Sequence, residues 1–465
     1  MQRHHRRRLK RLGQLDALDS VAGGTDGWWV PGDRVPRDGN DLQVLIDGET
    51  SFAAMHDALM AAQSHVHIAG WHLTPEFRLM RATGTPTLAE ILKDLAEKLD
   101  VRVLLWAGPP LPAFKPTRRM MKKVRSALTG DSRVRCVLDA RERTLHCHHE
   151  KLVIIDDEIA FVGGIDLSNL HGDRWDHRSH PPRKATGWHD VTTRLQGPIV
   201  TDVAEHFRER WQETAAEVLP EPLRQPPAGD VTVQMWRTVP ENTYRFAPKG
   251  EFSILAGYLL ALRRAEKFIY LENQFLWSTE IIDVLVDKLQ QPPSGDFRIL
   301  IVLPMRPSSG ADTTRGQLGR LLQADNGRGH LLPVTVRSHD AQATGALYVH
   351  AKVGIIDDQW LTIGSANLNE HSLFNDTEVN IATTDSALPR RTRLRLWAEH
   401  LERPEAEIDG DPTTVIDTIW TPLAHDQLTR NNNSLTATAR VTRLPAVSRR
   451  TERLLGPTRG LLVDG

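Results

Sequence analysis

Apolar residues recur at helical spacing from Phe52 to Ala62 and then crowd together in Val66-His67-Ile68-Ala69-Gly70-Trp71, the pattern of an amphipathic helix feeding a strand. The same order returns later in the chain, where Phe252 to Ala265 leads into Phe268-Ile269-Tyr270-Leu271-Glu272-Asn273. A second apolar strand follows in each case, Val101 to Trp106 and Phe297 to Leu303. Each copy then reaches a hairpin: Ile154-Ile155 turns through Asp156-Asp157 into Ala160-Phe161-Val162, and Ile355-Ile356 turns through Asp357-Asp358 into Leu361-Thr362-Ile363. Ala204 to Ala216 and Arg391 to Leu401 read as closing helices of the two copies. The repeat predicts an α/β protein built from two similar domains. Pro220, Pro222, Pro226, Pro227 and Gly229 break any element between them. The expected organisation is a basic lead-in over 1–44, a first domain over 45–225, a second over 230–403, and an extended C-terminal appendage over 404–465.

The hairpins carry the candidate chemistry. His149-Glu150-Lys151, four residues, Asp156 and then Gly163-Gly164 is matched by His350-Ala351-Lys352, four residues, Asp357 and then Gly364-Ser365. On a strand, a histidine and a lysine two apart face the same side, so each copy offers an imidazole and an ammonium to one ligand. That combination suits a phosphate. The glycines are expected to let backbone approach an oxyanion and to start a helix whose free amides favour negative charge. His146 and His148 raise zinc as an alternative, but His148 on a strand should face away from His149, so no metal ligand set is assigned. Cys147 reads as a small buried apolar residue.

Composition narrows the field. A formal net charge of -1 disfavours a general nucleic-acid binder, whose affinity rests on a broad basic surface. Two cysteines form neither a disulfide framework nor a four-thiolate zinc site, which makes cytoplasm the expected compartment. The basic start, Arg6-Arg7-Arg8-Leu9-Lys10-Arg11, lacks the apolar segment of a signal peptide, and no twenty-residue apolar span follows. It reads as a solvated, partly disordered terminus, the alternative being a weak contact with anionic membranes.

The paired motifs, with Ile269-Tyr270-Leu271-Glu272-Asn273-Gln274 and Trp188-His189-Asp190, resemble the phospholipase D superfamily from roughly Leu45 to Leu401. The resemblance implies two mixed β-sheets flanked by helices, related by a pseudo-twofold axis with one active site at their junction. It implies His149, Lys151, Asp156, His350, Lys352 and Asp357 as catalytic residues, with His149 the nucleophile and His350 the acid for the leaving group. Asn367, in Gly364-Ser365-Ala366-Asn367, fits many bacterial members, whereas its counterpart Asp166, followed by Arg174-Trp175-Asp176, looks like the plant and animal phosphatidylcholine-hydrolysing enzymes. An ionised Asp166 would repel a phosphate. Glu378 and Asp190 are nominated to orient the two imidazoles, and Asp156 and Asp357 to fix the hairpins and pair with cations. Glu272, Asn273 and Gln274 are candidate pocket residues, and Trp71, Trp175 and Trp277 candidate contacts at the mouth.

The expected function is therefore a metal- and cofactor-independent phosphodiesterase cleaving glycerophospholipid head groups through a phosphohistidine, with transphosphatidylation a second outcome. The alternatives are a cardiolipin synthase-type phosphatidyl transferase, a nuclease and an inactive lipid- or phosphate-binding scaffold. With both motifs in one chain, a monomer is expected, its two halves docked through the helix faces around Phe52 and Phe252. A phospholipid is the expected partner, reached by transient peripheral membrane contact, and no nucleic acid is expected.

Overall fold

The computed structural model describes residues 3–22, 27–32, 34–110, 115–141, 146–175, 180–182, 185–307, 311–339, 344–385 and 387–445. Asp176 and the tail beyond 445 lie outside the described residues. Two mixed sheets join into one sixteen-stranded ladder. In the first half the order runs from Arg37–Ile46 through Val191–Gln196, Ile159–Gly163, Leu152–Ile155, His65–Gly70 and Asp100–Trp106 to Arg135–Asp139. In the second it runs from Val231–Val239 through Glu378–Thr383, Trp360–Gly364, Val353–Ile356, Phe268–Glu272 and Arg298–Val302 to Leu331–Val336. Strand for strand the halves correspond. They meet where Arg37 pairs with Val233 and Asn40 with Val231, antiparallel, as a twofold relation requires.

Each predicted helix and strand forms within a few residues of its expected limits, including Asp47–Ala61, Ser253–Arg264, Ile199–Ala215 and Ala387–Leu401. The junction differs from expectation. Phe52 and Phe252 sit in separate outer cores, one per half. The shared core is made by the sheets, with Leu42, Val44, Val162 and Leu195 of the first half continuous with Val353, Ile363 and Ile381 of the second. Helices with Phe207 and Trp397 cover it.

The ends also differ. The first-domain sheet starts at Arg37, ahead of the expected boundary. The basic start is a helix, Arg3–Leu12, followed by Leu15–Ala22. Arg3, Arg6, Arg7 and Arg11 face outward, while His5 and Leu9 are buried against the second half, where His5 stacks on Phe374 and bonds Glu280 at 2.9 Å and Arg8 holds Glu241 and Asn375. The described part of the C-terminal segment is mostly helical, its last helix being Thr421–Asn432, and its strand Val441–Arg443 extends the sheet beside Leu331–Val336.

The hairpin turns explain the motif aspartates. Asp156, Asp157, Asp357 and Asp358 all have positive φ, a conformation short polar side chains tolerate. The Asp156 carboxylate accepts the backbone N–H groups of Gln63, Ser64 and His65 at 2.7, 2.7 and 2.9 Å. Asp357 accepts those of Glu266, Lys267 and Phe268 at 2.7, 2.9 and 2.7 Å. Each staples its hairpin to the chain entering the next strand. The cation pairing expected of these two belongs instead to their neighbours: Asp157 holds Arg208, and Asp358 holds Arg393, each through two bonds to a closing helix.

Candidate active site

His149 and Lys151 precede the strand Leu152–Ile155, and His350 and Lys352 precede Val353–Ile356, so both pairs occupy the lead-in to the hairpin rather than its strands. Cross-half hydrogen bonds hold those lead-ins. His149 N donates to Thr377 O at 2.9 Å and His350 N donates to His189 O at 2.8 Å, so each half's histidine lies on a segment of the other. The carboxylates that follow those segments meet the imidazoles: His149 Nδ1 lies 3.0 Å from Glu378 Oε1, and His350 Nδ1 lies 2.6 Å from Asp190 Oδ2. A carboxylate on Nδ1 fixes the tautomer with the proton there and leaves Nε2 as the reactive nitrogen. Each half thus supplies the support for the other's histidine.

The two supports are built differently. Glu378 also accepts the hydroxyls of Ser365 and Ser372, the second at 2.6 Å. Sequence reasoning singled out neither hydroxyl's role; Ser365 in place of the first copy's Gly164 was the available signal. Asp190 accepts Val191 N at 2.8 Å and packs against Gly164, where a Cβ would stand 2.2 Å from Asp190 Oδ1. At Gly364 a Cβ would stand 2.1 Å from Asn380 Oδ1, and at Gly163 it would stand 2.4 Å from the Thr192 backbone. The motif glycines therefore serve close packing onto the neighbouring strand. No helix begins at them; the next described ones are Ile199–Ala215 in the first half and Glu370–Phe374 in the second.

The ammonium groups complete the site. Lys151 Nζ donates to His149 O at 2.6 Å and lies 3.5 Å from Asp166 Oδ1, while Lys352 Nζ donates to His350 O and to Gln274 Oε1 at 3.2 Å. Asn367 Nδ2 reaches the same Gln274 oxygen at 3.3 Å. Asp166 and Asn367 thus occupy equivalent places beside the two lysines. Burial disfavours the Asp166 charge, yet Lys151 and Arg174, then His350 and His149, hold its pKa below the usual carboxylate range. An ionised Asp166 in this position forms an ion pair with Lys151. Arg174, buried, lies 3.7 Å from Asp166 and stacks over Trp188, 3.9 Å from the ring centroid; the same ring meets His350 at 4.5 Å and Tyr348 at 5.0 Å. Burial, then the Lys352 ammonium, pushes the His350 pKa well below its ordinary value, with Arg174 and Lys151 adding to this and Asp166 opposing it. Burial pushes Asp190 upward, against Lys352 and the Val191 amide.

Several nominated residues stand apart from this constellation. Glu272 accepts Tyr270 OH, His189 Nε2 and His400 Nε2, the last two at 2.8 Å, so its oxygens are saturated away from a substrate. Burial disfavours its charge, but His400 and His189 overcome that and hold its pKa well below the usual range. Asn273 Oδ1 accepts Phe275 N and Leu368 N and shapes the loop. Of the three, Gln274 alone reaches the lysines. Trp71 and Trp277 are buried, Trp71 between Trp106 and the edge of His149, and Trp175 is half-buried with its Nε1 on Leu79 O. They pack the interior because each indole has protein on its broad faces. His148 turns away from His149 to Thr377 Oγ1 at 2.8 Å and Asp139 at 3.2 Å, and Cys147 is fully buried.

Two imidazoles with free Nε2 positions, two fixed ammonium groups and a buried guanidinium form a site for attack on a phosphorus centre and protonation of the departing oxygen. The sequence matches the family model described as phospholipase D over residues 58–187 and 181–317, and the one described as cardiolipin synthase, PLD-like domain over 258–397. The chain belongs to the phospholipase D superfamily. It is 26% identical to phospholipase D A of Dictyostelium discoideum, an alignment covering 78% of this chain and 36% of that protein. It is 25% identical to phospholipase D alpha 1 of Zea mays, covering 86% and 70%. The chain thus spans 36% of the first of these relatives and 70% of the second. The crystal structure of phosphatidylserine synthase from Haemophilus influenzae Rd KW20 superposes with a TM-score of 0.54 at 12% identity, covering 89% of this chain and 98% of that one, which shows the shared fold.

Proposed function

We propose that the protein is a phosphodiesterase that cleaves the head-group ester of glycerophospholipids to phosphatidic acid through a phosphohistidine. His149 Nε2 attacks phosphorus while His350, protonated, gives its proton to the departing alcohol oxygen; the P–O bond breaks as the N–P bond forms. His350 then takes a proton from water, whose oxygen attacks phosphorus and releases His149. A primary alcohol in place of that water gives transphosphatidylation. Lys151, Lys352 and Asn367 hold the nonbridging oxygens, and Arg174 adds positive charge behind them. Bound phosphate offsets the cations around His350 and raises its proton affinity, so substrate binding itself favours the acid form.

The observation that carries this reading is the pair of crossed dyads, His149–Glu378 and His350–Asp190, each joining the two halves. A scaffold that only bound phosphate would have no use for two oriented imidazoles. The relatives named phospholipase D support a phospholipid over a nucleic acid, as does the near-neutral charge. Both dyads form within one chain, so a monomer is sufficient. Among the described residues no helix is long and apolar enough to cross a membrane, and we place membrane contact at the periphery, with the protein in the cytoplasm.

The test is a panel run in buffer without added metal: phosphatidylcholine, phosphatidylglycerol and single-stranded DNA, with and without a primary alcohol. Release of head group with phosphatidic acid, or phosphatidyl-alcohol when alcohol is added, is expected. Condensation of two phosphatidylglycerols without hydrolysis would identify a cardiolipin-forming transferase. DNA cleavage without lipid turnover would overturn the lipid assignment.

A further inference from the structure

Behind the His350–Asp190 dyad, a buried group of side chains takes no part in the proposed chemistry. Asp47 opens the helix after the first strand, His180 lies in the segment between Trp175 and the strand Gly187–His189, His189 ends that strand, and Glu399 belongs to the closing helix of the second half. None of the four side chains exceeds 4% exposure. Their donor atoms all lie within 4.8 Å of one another. His180 Nε2 is 3.1 Å from Asp47 Oδ2 and 2.9 Å from Glu399 Oε1; His189 Nδ1 is 2.9 Å from Asp47 Oδ1 and 3.2 Å from Glu399 Oε1.

We propose that Asp47, His180, His189 and Glu399 form a first-row divalent cation site, suited best to zinc, that clamps the two halves together behind the catalytic dyads. Hydrogen bonding alone leaves the group incompletely satisfied. Each imidazole nitrogen carries at most one proton, yet each faces two carboxylate oxygens. Asp47 Oδ2, although buried, accepts no hydrogen bond from any described residue. One ion at the centre would serve both nitrogens and both carboxylates. Tetrahedral zinc with bonds of about 2.0–2.1 Å has ligands about 3.3 Å apart, close to the 2.9–3.2 Å at which the two imidazole nitrogens meet the carboxylate oxygens, and the whole donor set lies within 4.8 Å.

The surroundings supply a second, independent indication. A histidine that binds metal through one nitrogen commonly donates the other to a carboxylate, which fixes its tautomer. His189 Nε2 meets Glu272 Oε2 at 2.8 Å, and Glu272 is itself held by His400 at 2.8 Å and by Tyr270. Charge also balances: a dication neutralises Asp47 and Glu399, leaving Glu272 to pair with His400. Two imidazoles select zinc and its neighbours over magnesium or calcium, which prefer all-oxygen shells. The site reaches the dyad through backbone, since Asp190 N donates to Asp47 Oδ1 at 3.2 Å and Asp47 N donates to Asp190 O at 2.8 Å. The ion's role is positional.

The experiment uses the full chain dialysed against zinc and freed of excess, with metal measured by mass spectrometry and Tm recorded before and after chelator extraction. About one tightly held equivalent is expected in the wild type, with a Tm that falls on extraction and recovers with zinc. Cobalt substitution should give the intense visible bands of a tetrahedral site. His180→Ala and Glu399→Gln should lose the equivalent, whereas His146→Ala, in the separate His146, His371 and Asp376 group, should keep it. A wild type that retains no zinc and shows no Tm change would overturn the proposal, as would retention in both His180→Ala and Glu399→Gln. If His180→Ala does not fold, the Glu399→Gln protein and the wild-type cobalt spectrum decide. These readouts use no substrate, so a failed lipase assay and a failed metal test remain distinguishable.

Discussion

Replacing Glu378 with glutamine separates the orienting role of that carboxylate from mere packing, because the side chain keeps its size and loses its charge. In the wild type, Glu378 accepts hydrogen bonds from the Nδ1–H of His149 at 3.0 Å and from two serine hydroxyls. A hydrogen bond to a charged group contributes about 1.5–3 kcal/mol, which alone corresponds to a fall in kcat of about 10- to 150-fold. An amide can also turn its NH2 toward Nδ1, moving the ring proton to Nε2 and blocking attack. In the serine protease triad the analogous exchange lowers kcat about 10⁴-fold. The expected result for Glu378→Gln is therefore a fall in kcat of about 10²- to 10⁴-fold with little change in KM. The assay is head-group release from mixed micelles under initial-rate conditions, with circular dichroism and Tm confirming the fold. A kcat within about threefold of the wild type would show that His149 does not depend on this carboxylate.

Three further outcomes follow from the geometry. Gly164→Ala places a methyl 2.2 Å from Asp190 Oδ1, so it should displace that carboxylate from His350 and lower kcat by about 10- to 100-fold; an unaltered rate in a folded variant would refute this reading of the motif glycine. If His350 is the acid it works protonated, and activity is lost as pH rises through its pKa. That pKa is depressed below 6.5 in the free protein and raised by bound phosphate, so the basic limb of kcat/KM should lie below pH 6.5 and that of kcat higher, and coincident limbs would count against the assignment. Glu150, buried and bonded to His206 at 2.8 Å and to Arg210, should destabilise the fold by about 3–5 kcal/mol in urea when changed to alanine, because Arg210 is left undercompensated. Its pKa is lowered to about 2 as Arg210 and His206 outweigh burial, so its stabilisation is complete above its ordinary 4.5 and is lost as pH falls toward 2; a Glu150→Ala deficit unchanged across that range would contradict the pairing.

The duplicated motifs were legible because a local pattern encodes them: residues two, seven and fourteen apart in the chain are neighbours in a hairpin and its lead-in. Glu378 and Asp190 could be nominated from chemical need, since an imidazole requires an acceptor, but their exchange between halves could not. That crossing follows from strand pairing between segments remote in sequence, such as His149 with Thr377. Glu272 misled for the same reason, because its partners His189 and His400 come from elements outside its own strand. The C-terminal segment looked broken by proline, yet Pro412 stands in the first turn of a helix, where the missing N–H has no intrahelical partner, and Pro422 comes just after the π-helical turn Ile416–Trp420 that joins this helix to Thr421–Asn432. At the start of the chain the arginines dominated the pattern and hid the narrow face formed by His5 and Leu9.

The central claim, a covalent intermediate on His149 made within a single chain, is tested most directly by trapping it. His350→Ala protein is mixed with a p-nitrophenyl phosphodiester lipid analogue, whose leaving group departs without protonation, then quenched in alkali and mapped by mass spectrometry. The expected result is one burst equivalent of p-nitrophenolate and a phosphatidyl adduct, base-stable and acid-labile, on the peptide containing His149, because no residue remains to activate water. Absence of burst and adduct from a correctly folded protein, or an adduct on another residue, would contradict it.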